Sequence, residues 1–342
     1  MKNFINKFST FYEIFNANQT LDSKLNLLKS VIYNLKPAKW RSNKVNFYPI
    51  STTFYVNTIC NYRCSFCFLI NDDHKGSKKF NLDLEGFYKL LNHKHIKYSG
   101  RVTLGGGEPY LNKNIYDFIK ELKKRKKITS IYTNGSLIER QYDMMLDNQT
   151  DYLNISHYDD KFDDLCHMFK RINEDKSKKF ISRLSKLVTA KNYNELDDVI
   201  QKAIYNSFDR VILQNYFPYK DEDLESVIYD DNVDFKKYLS KLNDKYKKKI
   251  LIIPPNLLKR NDDIFSCNNI TLNSTIDSQG SLATCCFLTP PSLTTGNIFD
   301  NLEENSWNTK KLIKFRSFLG KKESPLGCKY CYFKNGIVNR AI

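Results

Sequence analysis

The amino-acid sequence predicts an α/β fold: a partial (β/α)6 TIM-like barrel followed by a small C-terminal cysteine-rich domain. Two observations lead to this prediction. Short apolar segments alternate with amphipathic segments between about residues 51 and 215, and from about residue 263 turns and cysteines replace the alternation. Strands that alternate with helices form βα units in a parallel sheet with right-handed crossovers. In such folds ligands bind beyond the carboxyl ends of the strands, so the functional residues are expected there.

The elements follow in order along the chain. An N-terminal amphipathic helix that ends before Pro37 is indicated by apolar residues at helical spacing: Leu21, Leu25, Leu28, Ile32 and Leu35. The predicted strands are 52–58, 101–104, 128–132, 151–156, 181–188 and 210–214. The predicted helices between them are 83–92, 113–125, 137–146, 160–172 and 194–206, and a charged helix is expected near 231–248.

Three segments follow from this pattern. Residues 1–50 form a helical extension, which is too short for an independent domain of usual size. Residues 51–262 form the barrel and a connecting region, and residues 263–342 form the cysteine-rich domain.

Composition excludes several classes of protein. Hydrophobic residues make up 41% of the 342 residues, enough for a sizeable core, and no run of about 18 apolar residues predicts a membrane span. The N-terminus lacks a signal-peptide core, so the protein is expected to be cytoplasmic and not bound to membrane. The net charge of +16 is spread along the chain and is typical of a lysine-rich surface, although it would also suit nucleic acid. Nine cysteines in a cytosolic chain indicate metal binding or catalysis rather than disulfides.

The strongest motif is CNYRCSFC, which follows the first strand directly and contains Cys60, Cys64 and Cys67. Three thiolates this close can hold one metal centre. A four-iron cluster needs four ligands, so three cysteines leave one iron open for a substrate or cofactor. The alternative is a structural zinc site with a distant fourth ligand such as His74, although zinc sites usually use two separated cysteine pairs.

This C-x3-C-x-aromatic-C motif at the end of a first strand resembles that of the radical SAM superfamily. The resemblance implies that Cys60, Cys64 and Cys67 are the catalytic ligands of a [4Fe–4S] cluster and that Phe66 lies near the adenine of S-adenosylmethionine. It also implies an electron donor such as flavodoxin or ferredoxin. One electron would cleave the cofactor, and the resulting 5′-deoxyadenosyl radical would abstract hydrogen from the substrate.

Further motifs fit the same reading. The GGGEP sequence follows the second strand and contains Gly106, Gly107 and Glu108. Alone, such a sequence is a common turn. After the cysteine motif it resembles the superfamily element that binds the amino group of the methionine part of the cofactor. Ser156 at the end of the fourth strand and Arg183 on the fifth are the candidates for contacts to the cofactor ribose or carboxylate, and Arg183 could equally be a surface residue. TNG at 133–135 is a weaker match that could be a plain turn.

Two other residue types are better explained by packing. His157 is expected to be a strand-end histidine more often than a catalyst. Cys166 lies on one helical face with Phe162 and Phe169, so it is expected to pack as a small hydrophobic residue.

A second cysteine set comprises Cys267, Cys285, Cys328 and Cys331. Four cysteines, two of them in CKYC, can enclose a cluster fully or bind structural zinc, and spacing alone does not separate these readings. The pattern resembles the twitch domain, a shortened SPASM domain, together with the GNI segment, Trp307 and the Phe315–Arg316 pair. The resemblance implies one auxiliary [4Fe–4S] cluster; Cys286 could replace Cys285.

The resemblance implies a radical SAM oxidoreductase or maturase that acts on a peptide or a small metabolite. The auxiliary cluster would accept an electron, which favours net oxidation or bond formation. Asp277 could serve as a base, although aspartate before a turn is usually a turn former. The competing hypothesis is a nucleic-acid-binding protein with structural zinc sites, for which the charge gives weak support.

Overall fold

The computed structural model describes residues 12–17, 20–67, 80–260, 264–283, 285, 294–299, 306–325, 328–329 and 331–332. The chain forms two compact units. Unit 1 comprises Met1–Tyr132 and Phe265–Lys321, and unit 2 comprises Thr133–Ile264 and Lys322–Ile342. The boundary of the cysteine-rich domain at residue 263 therefore nearly coincides with the return of the chain to unit 1, whereas the barrel segment contributes to both units. The three-segment division remains a prediction.

The strands in chain order are β1 (Ser51–Asn57), β2 (Arg101–Gly106), β3 (Ile128–Thr133), β4 (Tyr152–Ser156), β5 (Ile181–Val188), β6 (Arg210–Asn215), β7 (Leu251–Ile253), β8 (Asn273–Ile276), β9 (Ser281–Ala283) and β10 (Gly296–Asn297). The helices are α1 (Leu21–Leu35), α2 (Leu84–Asn92), α3 (Lys94–Tyr98), α4 (Ile115–Lys124), α5 (Tyr142–Asp147), α6 (Phe162–Glu174), α7 (Leu196–Tyr205), α8 (Val233–Tyr246), α9 (Asn269–Leu272) and α10 (Lys310–Arg316). A further helical segment lies at 12–17.

In unit 1, β1 lies in the middle of a mostly parallel sheet. It pairs in parallel with β2 on one side and with β8 on the other, and β2 pairs in parallel with β3. β9 then runs antiparallel to β8, and β10 antiparallel to β9. On the helix-facing side, Phe54 contacts Phe87 of α2, which stacks on Phe118 of α4 with ring centroids 4.1 Å apart. This aromatic layer fixes the sheet against its helices and thereby places the end of β1.

In unit 2, β4, β5, β6 and β7 form a parallel sheet. Most side chains of these strands are buried, and Ile155, Leu184 and Val211 are completely buried. The polar partners Ser156 and Ser185 are paired in register at the carboxyl end of β4. The predicted strands and helices of the alternating region are present with small shifts, except that the helix predicted at 137–146 is a 3-10 turn, Glu139–Gln141, followed by α5.

The N-terminal helix α1 is confirmed, but its apolar stripe is not the buried side. The side chains of Leu21, Leu25, Leu28, Ile32 and Leu35 are exposed, whereas the buried face contains Ser23, Asn26, Leu27, Ser30 and Tyr33. The buried face is polar because its side chains bind backbone. The Asn26 amide donates to the Tyr48 carbonyl oxygen at 3.1 Å and accepts from the Tyr48 N–H at 2.7 Å. The same face also buries Leu27 against Ile14 and Ile50, so hydrogen bonds and apolar packing together orient this helix.

Within the described part of the chain, no helix combines the length and the apolar character that a membrane crossing requires.

Candidate active site

The first cysteine loop begins where β1 ends. Cys60, Cys64 and Cys67 are all half-buried, and the Cys67 N–H donates to the Cys64 carbonyl oxygen at 3.0 Å, closing a turn around Phe66. The Tyr62 N–H lies 3.4 Å from the Cys60 Sγ. Phe66 is 39% exposed, so its ring faces outward from the loop.

The GGGEP loop is bonded to the segment that leads into Cys60. The Gly107 N–H donates to the Asn57 carbonyl oxygen at 3.0 Å, and the Glu108 N–H donates to the Ile59 carbonyl oxygen at 2.8 Å. In return, the Asn57 side-chain amide donates to the Glu108 carbonyl oxygen at 2.8 Å. Three hydrogen bonds thus fix the two loops to each other, and the two sequence motifs form one local structure.

This close approach explains the glycines. Gly106 has φ +118, a conformation that favours glycine. A Cβ on Gly107 would lie 2.0 Å from the Ile59 carbonyl oxygen, which no side chain can tolerate. The glycines are therefore required by the contact between the loops.

Glu108 is completely buried at the end of this loop. Its Oε1 accepts from the Tyr110 N–H at 3.2 Å and so caps the 3-10 helix Pro109–Leu111. Burial, with smaller effects of Tyr116 and of the Glu108 carboxylate, raises the pKa of Tyr110 well above its ordinary value, so this phenol stays protonated. A buried carboxylate is stabilised by a cationic partner, which makes Glu108 suitable for an ammonium group.

Two of the expected cofactor contacts lie in unit 2. Ser156 is the last residue of β4 and is half-buried. Arg183 is buried in the first half of β5, in register with Asn154, and its guanidinium lies 3.7 Å from the centre of the Tyr152 ring. Its burial rules out the surface alternative, and the Tyr152 ring is one partner of its charge. The role of Arg183 toward a cofactor stays a prediction.

The TNG segment is a tight turn. The Gly135 N–H donates to the Thr133 Oγ1 at 3.0 Å, and Gly135 has φ +80. A Cβ on Gly135 would lie 2.7 Å from the Phe169 ring, so this glycine is required for packing against α6.

A charged cluster that the sequence analysis did not identify lies just past β4. Lys186 is 2% exposed and forms an ion pair with Asp159, and the Asp159 carboxylate also lies 3.3 Å from the His157 Nδ1. Burial, together with the positive charge of Lys186, lowers the pKa of His157 to about 4. His157 is therefore neutral at neutral pH and stacks on Phe162. The pairing of Lys186 with Asp159 could not be predicted from local sequence patterns, because the two residues are 27 positions apart.

The neutral state of His157 predicts a loss of stability in weak acid. Its pKa is about 4 in the folded chain and 6.5 ordinarily, so between these values the unfolded chain binds the extra proton. Stability should fall as the pH drops through this window, by about 1.4 kcal/mol at pH 5.5 relative to pH 8. Anaerobic urea unfolding at the two pH values should show this loss of unfolding free energy in the wild type. The His157→Gln variant has no imidazole to protonate, so it should lack this part of the loss. Equal losses in the two proteins would contradict the assignment.

The second cysteine set is divided between the two units. Cys267 and Cys285 are buried in unit 1. Cys328 and Cys331 are buried in unit 2, where the Cys331 N–H donates to the Cys328 carbonyl oxygen at 3.1 Å. The neighbouring Tyr332 hydroxyl donates to the carbonyl oxygen of Asn215 at the end of β6, at 3.1 Å.

The remaining candidates are placed as follows. The Asp277 carboxylate accepts from the N–H groups of Gln279 and Ser281 at 2.9 and 2.8 Å, which accounts for it as a turn former. Cys166 is half-buried on α6, with the Asn206 amide 3.4 Å from its sulfur. Cys286 and His74 lie outside the described residues.

The donor set fits iron–sulfur clusters. The predicted ligands comprise seven thiols, three half-buried and four buried, and none forms a disulfide within the described residues. Cysteine thiolates are the usual ligands of such clusters. Across the residues that the structure describes, no three His, Cys, Asp or Glu side chains are already arranged as a metal-binding group. The fit therefore rests on the ligand chemistry and on the loop contacts.

Comparison with protein families gives two matches. The radical SAM superfamily model matches residues 54–196, and the SPASM model, an iron–sulfur cluster-binding domain, matches residues 267–332. The first match includes the CNYRCSFC and GGGEP loops, and the second begins at Cys267 and includes Cys331. Together they cover well over half of the chain.

Curated relatives share part of this length. A tungsten-containing aldehyde ferredoxin oxidoreductase cofactor-modifying protein of Pyrococcus furiosus is 22% identical over 206 residues, which are 55% of this chain and 57% of the relative. An S-adenosylmethionine-dependent nucleotide dehydratase of Psychrobacter lutiphocae is 31% identical over 118 residues, 31% of this chain and 39% of the relative. The chain thus matches less than two thirds of either relative.

Solved structures show the fold. Streptococcus suis SuiB bound to S-adenosylmethionine superposes with a TM-score of 0.65 at 18% identity, covering 91% of this chain and 75% of SuiB. Native anSMEcpe with bound AdoMet and the Kp18Cys peptide gives a TM-score of 0.58 at 18% identity, covering 84% of this chain and 88% of that protein. The predicted fold class, an α/β partial TIM-like barrel, is confirmed.

These matches also settle the cofactors. A [4Fe–4S] cluster and S-adenosylmethionine belong to the superfamily domain, and auxiliary iron–sulfur binding belongs to the SPASM domain. The sequence motifs, the fold and both family models agree: this chain is an enzyme of the radical SAM superfamily with a C-terminal SPASM iron–sulfur domain.

Proposed function

We propose that the chain is a radical SAM oxidoreductase or maturase that abstracts hydrogen from a peptide substrate. The observation that carries the proposal is the hydrogen-bonded contact between the cysteine loop and the GGGEP loop. It fixes the start of the cysteine loop against the segment that carries the buried Glu108, as a site that binds a cluster and an amino acid group together requires.

Each residue has a distinct role in this proposal. Cys60, Cys64 and Cys67 hold the cluster and leave one iron open, Glu108 accepts hydrogen bonds from the cofactor ammonium group, and Phe66 lies against its adenine. Gly106 and Gly107 allow the two loops to meet. When bound, the cluster supplies one electron that cleaves S-adenosylmethionine to give the radical that removes hydrogen from the substrate.

Two contacts in unit 2 complete the proposed cofactor set on sequence grounds. Ser156 ends β4 with a hydroxyl that can bind the ribose or the carboxylate. Arg183 carries a guanidinium that can bind a carboxylate through two parallel hydrogen bonds. Because Arg183 already stacks on Tyr152, a conservative Arg183→Lys exchange would separate the two roles: the charge is retained and the bidentate geometry is lost.

The SPASM-type cysteines would serve as an electron acceptor. We assign Cys267, Cys285, Cys328 and Cys331 to one auxiliary [4Fe–4S] cluster that accepts the electron left after hydrogen abstraction. Four protein ligands leave no iron open, which suits electron transfer rather than substrate binding. Net oxidation or bond formation in the substrate would follow.

A peptide is favoured over a small metabolite as substrate. Structures similar in fold include SuiB bound to the precursor peptide SuiA, with a TM-score of 0.62 and 18% identity. The net charge of +16 would also attract an acidic peptide.

The decisive experiment is anaerobic reconstitution followed by reduction. Protein that carries two clusters should be brown, contain about eight irons and release 5′-deoxyadenosine from S-adenosylmethionine when reduced. Deuterium from labelled candidate peptides should appear in that product. A colourless zinc protein that releases no 5′-deoxyadenosine and binds RNA with a steep salt dependence would instead support a nucleic-acid-binding function.

The role of Glu108 can be tested by cofactor affinity. Glu108→Gln keeps an oxygen that can accept from the Tyr110 N–H but loses the charge, so binding of S-adenosylmethionine should weaken by about 10- to 100-fold, the usual value of a hydrogen bond to a charged group. Equilibrium binding to the reconstituted protein measures it. The control is Glu85→Gln, an exposed glutamate paired with Lys89. Unchanged affinity in Glu108→Gln would contradict this role.

A further inference from the structure

Arg41 is fixed next to the residue that follows Cys267. Its Nη1 donates to the Asn268 Oδ1 at 2.5 Å, its Nη2 donates to the Asn34 carbonyl oxygen at 2.7 Å, and its Nε donates to the Lys36 carbonyl oxygen at 2.9 Å. All three guanidinium nitrogens are thus used, and they hold the half-buried side chain in place beside Asn268.

Arg316, the last residue of α10, contacts the same short segment after Cys267. It is completely buried, its Nε donates to the Ile270 carbonyl oxygen at 3.2 Å, and its Nη1 donates to the Trp307 carbonyl oxygen at 2.7 Å. The guanidinium carbon lies 4.8 Å from the centre of the Trp307 ring. Two arginines therefore contact residues 268–270, immediately after Cys267.

No carboxylate of the described residues pairs with either charge. Within the described residues, the hydrogen-bond acceptors of Arg41 and Arg316 are carbonyl and amide oxygens. Arg101, which is nearly as buried as Arg316, instead pairs with Glu13 at 3.0 Å. Buried charges are normally paired, because leaving one uncompensated is costly. The buried Arg316 and the half-buried Arg41, both held against the segment that follows Cys267, therefore point to an anion that binds there.

Both arginines are positively charged at neutral pH, as the attraction of an anion requires. Burial lowers the pKa of Arg316 to about 10, so it remains charged at neutral pH. Burial also lowers the pKa of Arg41, whereas Tyr33 and Cys267 raise it.

We infer that Arg41, supported by Arg316, is the counter-charge of the auxiliary cluster at Cys267 and raises the reduction potential of that cluster. The inference rests on the proposed function through the ligand role of Cys267. A [4Fe–4S]²⁺ cluster with four thiolates carries a net charge of −2, and the one-electron reduction to [4Fe–4S]⁺ makes it −3. A fixed cation favours the more negative state, so the cluster becomes easier to reduce. Arg41 is a positioning residue in this sense and does not contact the substrate.

The test isolates the auxiliary cluster. A full-length variant with Cys60→Ala, Cys64→Ala and Cys67→Ala should retain about four irons, the content of one cluster. In this background Arg41→Gln should make the midpoint potential more negative, as measured by a redox titration followed by electron paramagnetic resonance. We expect about a tenfold fall in the reduced-to-oxidised ratio at a fixed potential, which corresponds to about 59 mV for one electron.

Two further variants control for charge and for folding. Arg41→Lys keeps the charge and should lie close to the parent potential. Arg260→Gln removes an exposed arginine that pairs with Asp231, and it should leave the potential unchanged. If Arg41→Gln loses its iron while Arg41→Lys keeps it, the cluster needs the positive charge at this position, which also supports Arg41 as its counter-charge.

The outcomes separate the inference from the proposed function. An unchanged midpoint in Arg41→Gln, with full iron content, would overturn the inference and leave the auxiliary cluster in place. Loss of iron from Arg41→Lys as well as from Arg41→Gln would show a packing role and overturn it too. Absence of iron from the triple cysteine variant would refute the ligand assignment itself, and the inference with it.

Discussion

Replacing Cys67 with alanine should abolish the release of 5′-deoxyadenosine from S-adenosylmethionine. The three thiols of the first loop are the proposed holders of the cluster that delivers the electron, and the remaining two cannot hold a cubane with an open iron. Anaerobically reconstituted Cys67→Ala should therefore contain about four irons instead of about eight, and product should fall to the level seen without reductant.

The matched control is Cys166→Ala. Cys166 is half-buried on α6 and belongs to neither cysteine set, so this variant should keep both its iron and its activity. If Cys67→Ala still cleaved S-adenosylmethionine at the wild-type rate, the first cysteine loop could not be the catalytic site.

Replacing Gly107 with alanine should disrupt the same site without touching a ligand. The new Cβ would lie 2.0 Å from the Ile59 carbonyl oxygen and 2.5 Å from its carbon, and both are backbone atoms that cannot rotate away. The two loops must then separate, with the loss of the hydrogen bonds that join them. We expect a cost of at least about 3 kcal/mol in stability, the upper end of overpacking, together with the loss of the catalytic cluster.

Gly105→Ala is the control within the same motif. Its Cβ would meet the Tyr55 ring at 3.8 Å, an ordinary van der Waals distance. Urea unfolding and iron content, measured for both variants, should therefore separate them clearly. Equal stability of the two alanine variants would mean that the loops are not held together as described.

The sequence predicted the alternating part of the fold because its hydrophobic pattern is local. The strands from β1 to β6 were each identified from a few adjacent apolar residues, and the glycines and cysteines at their ends marked the site. β7 was not predicted, because a segment as short as Leu251–Ile253 carries too little pattern to distinguish it from a loop.

Features that depend on distant residues could not be predicted. The contact between the cysteine loop and GGGEP joins segments about 50 residues apart, and the sequence shows two motifs but not the bonds between them. The apolar stripe of α1 suggested the wrong buried face, because the Tyr48 backbone that binds Asn26 cannot be recognised as its partner in advance. Arg41 belongs to no sequence motif. Its proposed role follows only from its hydrogen bond to Asn268, the residue after Cys267.

The position of β8 beside β1 has a consequence for how the enzyme matures in the cell. The Thr52 and Ser274 hydroxyls share a hydrogen bond across 222 residues of chain, so one edge of β1 stays uncovered until the chain has been translated through β8. The strand that presents the first cysteine loop therefore reaches its final surroundings late, and pairing over such a sequence distance is slow. Iron delivery to the nascent chain on the ribosome would meet an unfinished sheet, whereas delivery after release would meet a formed one.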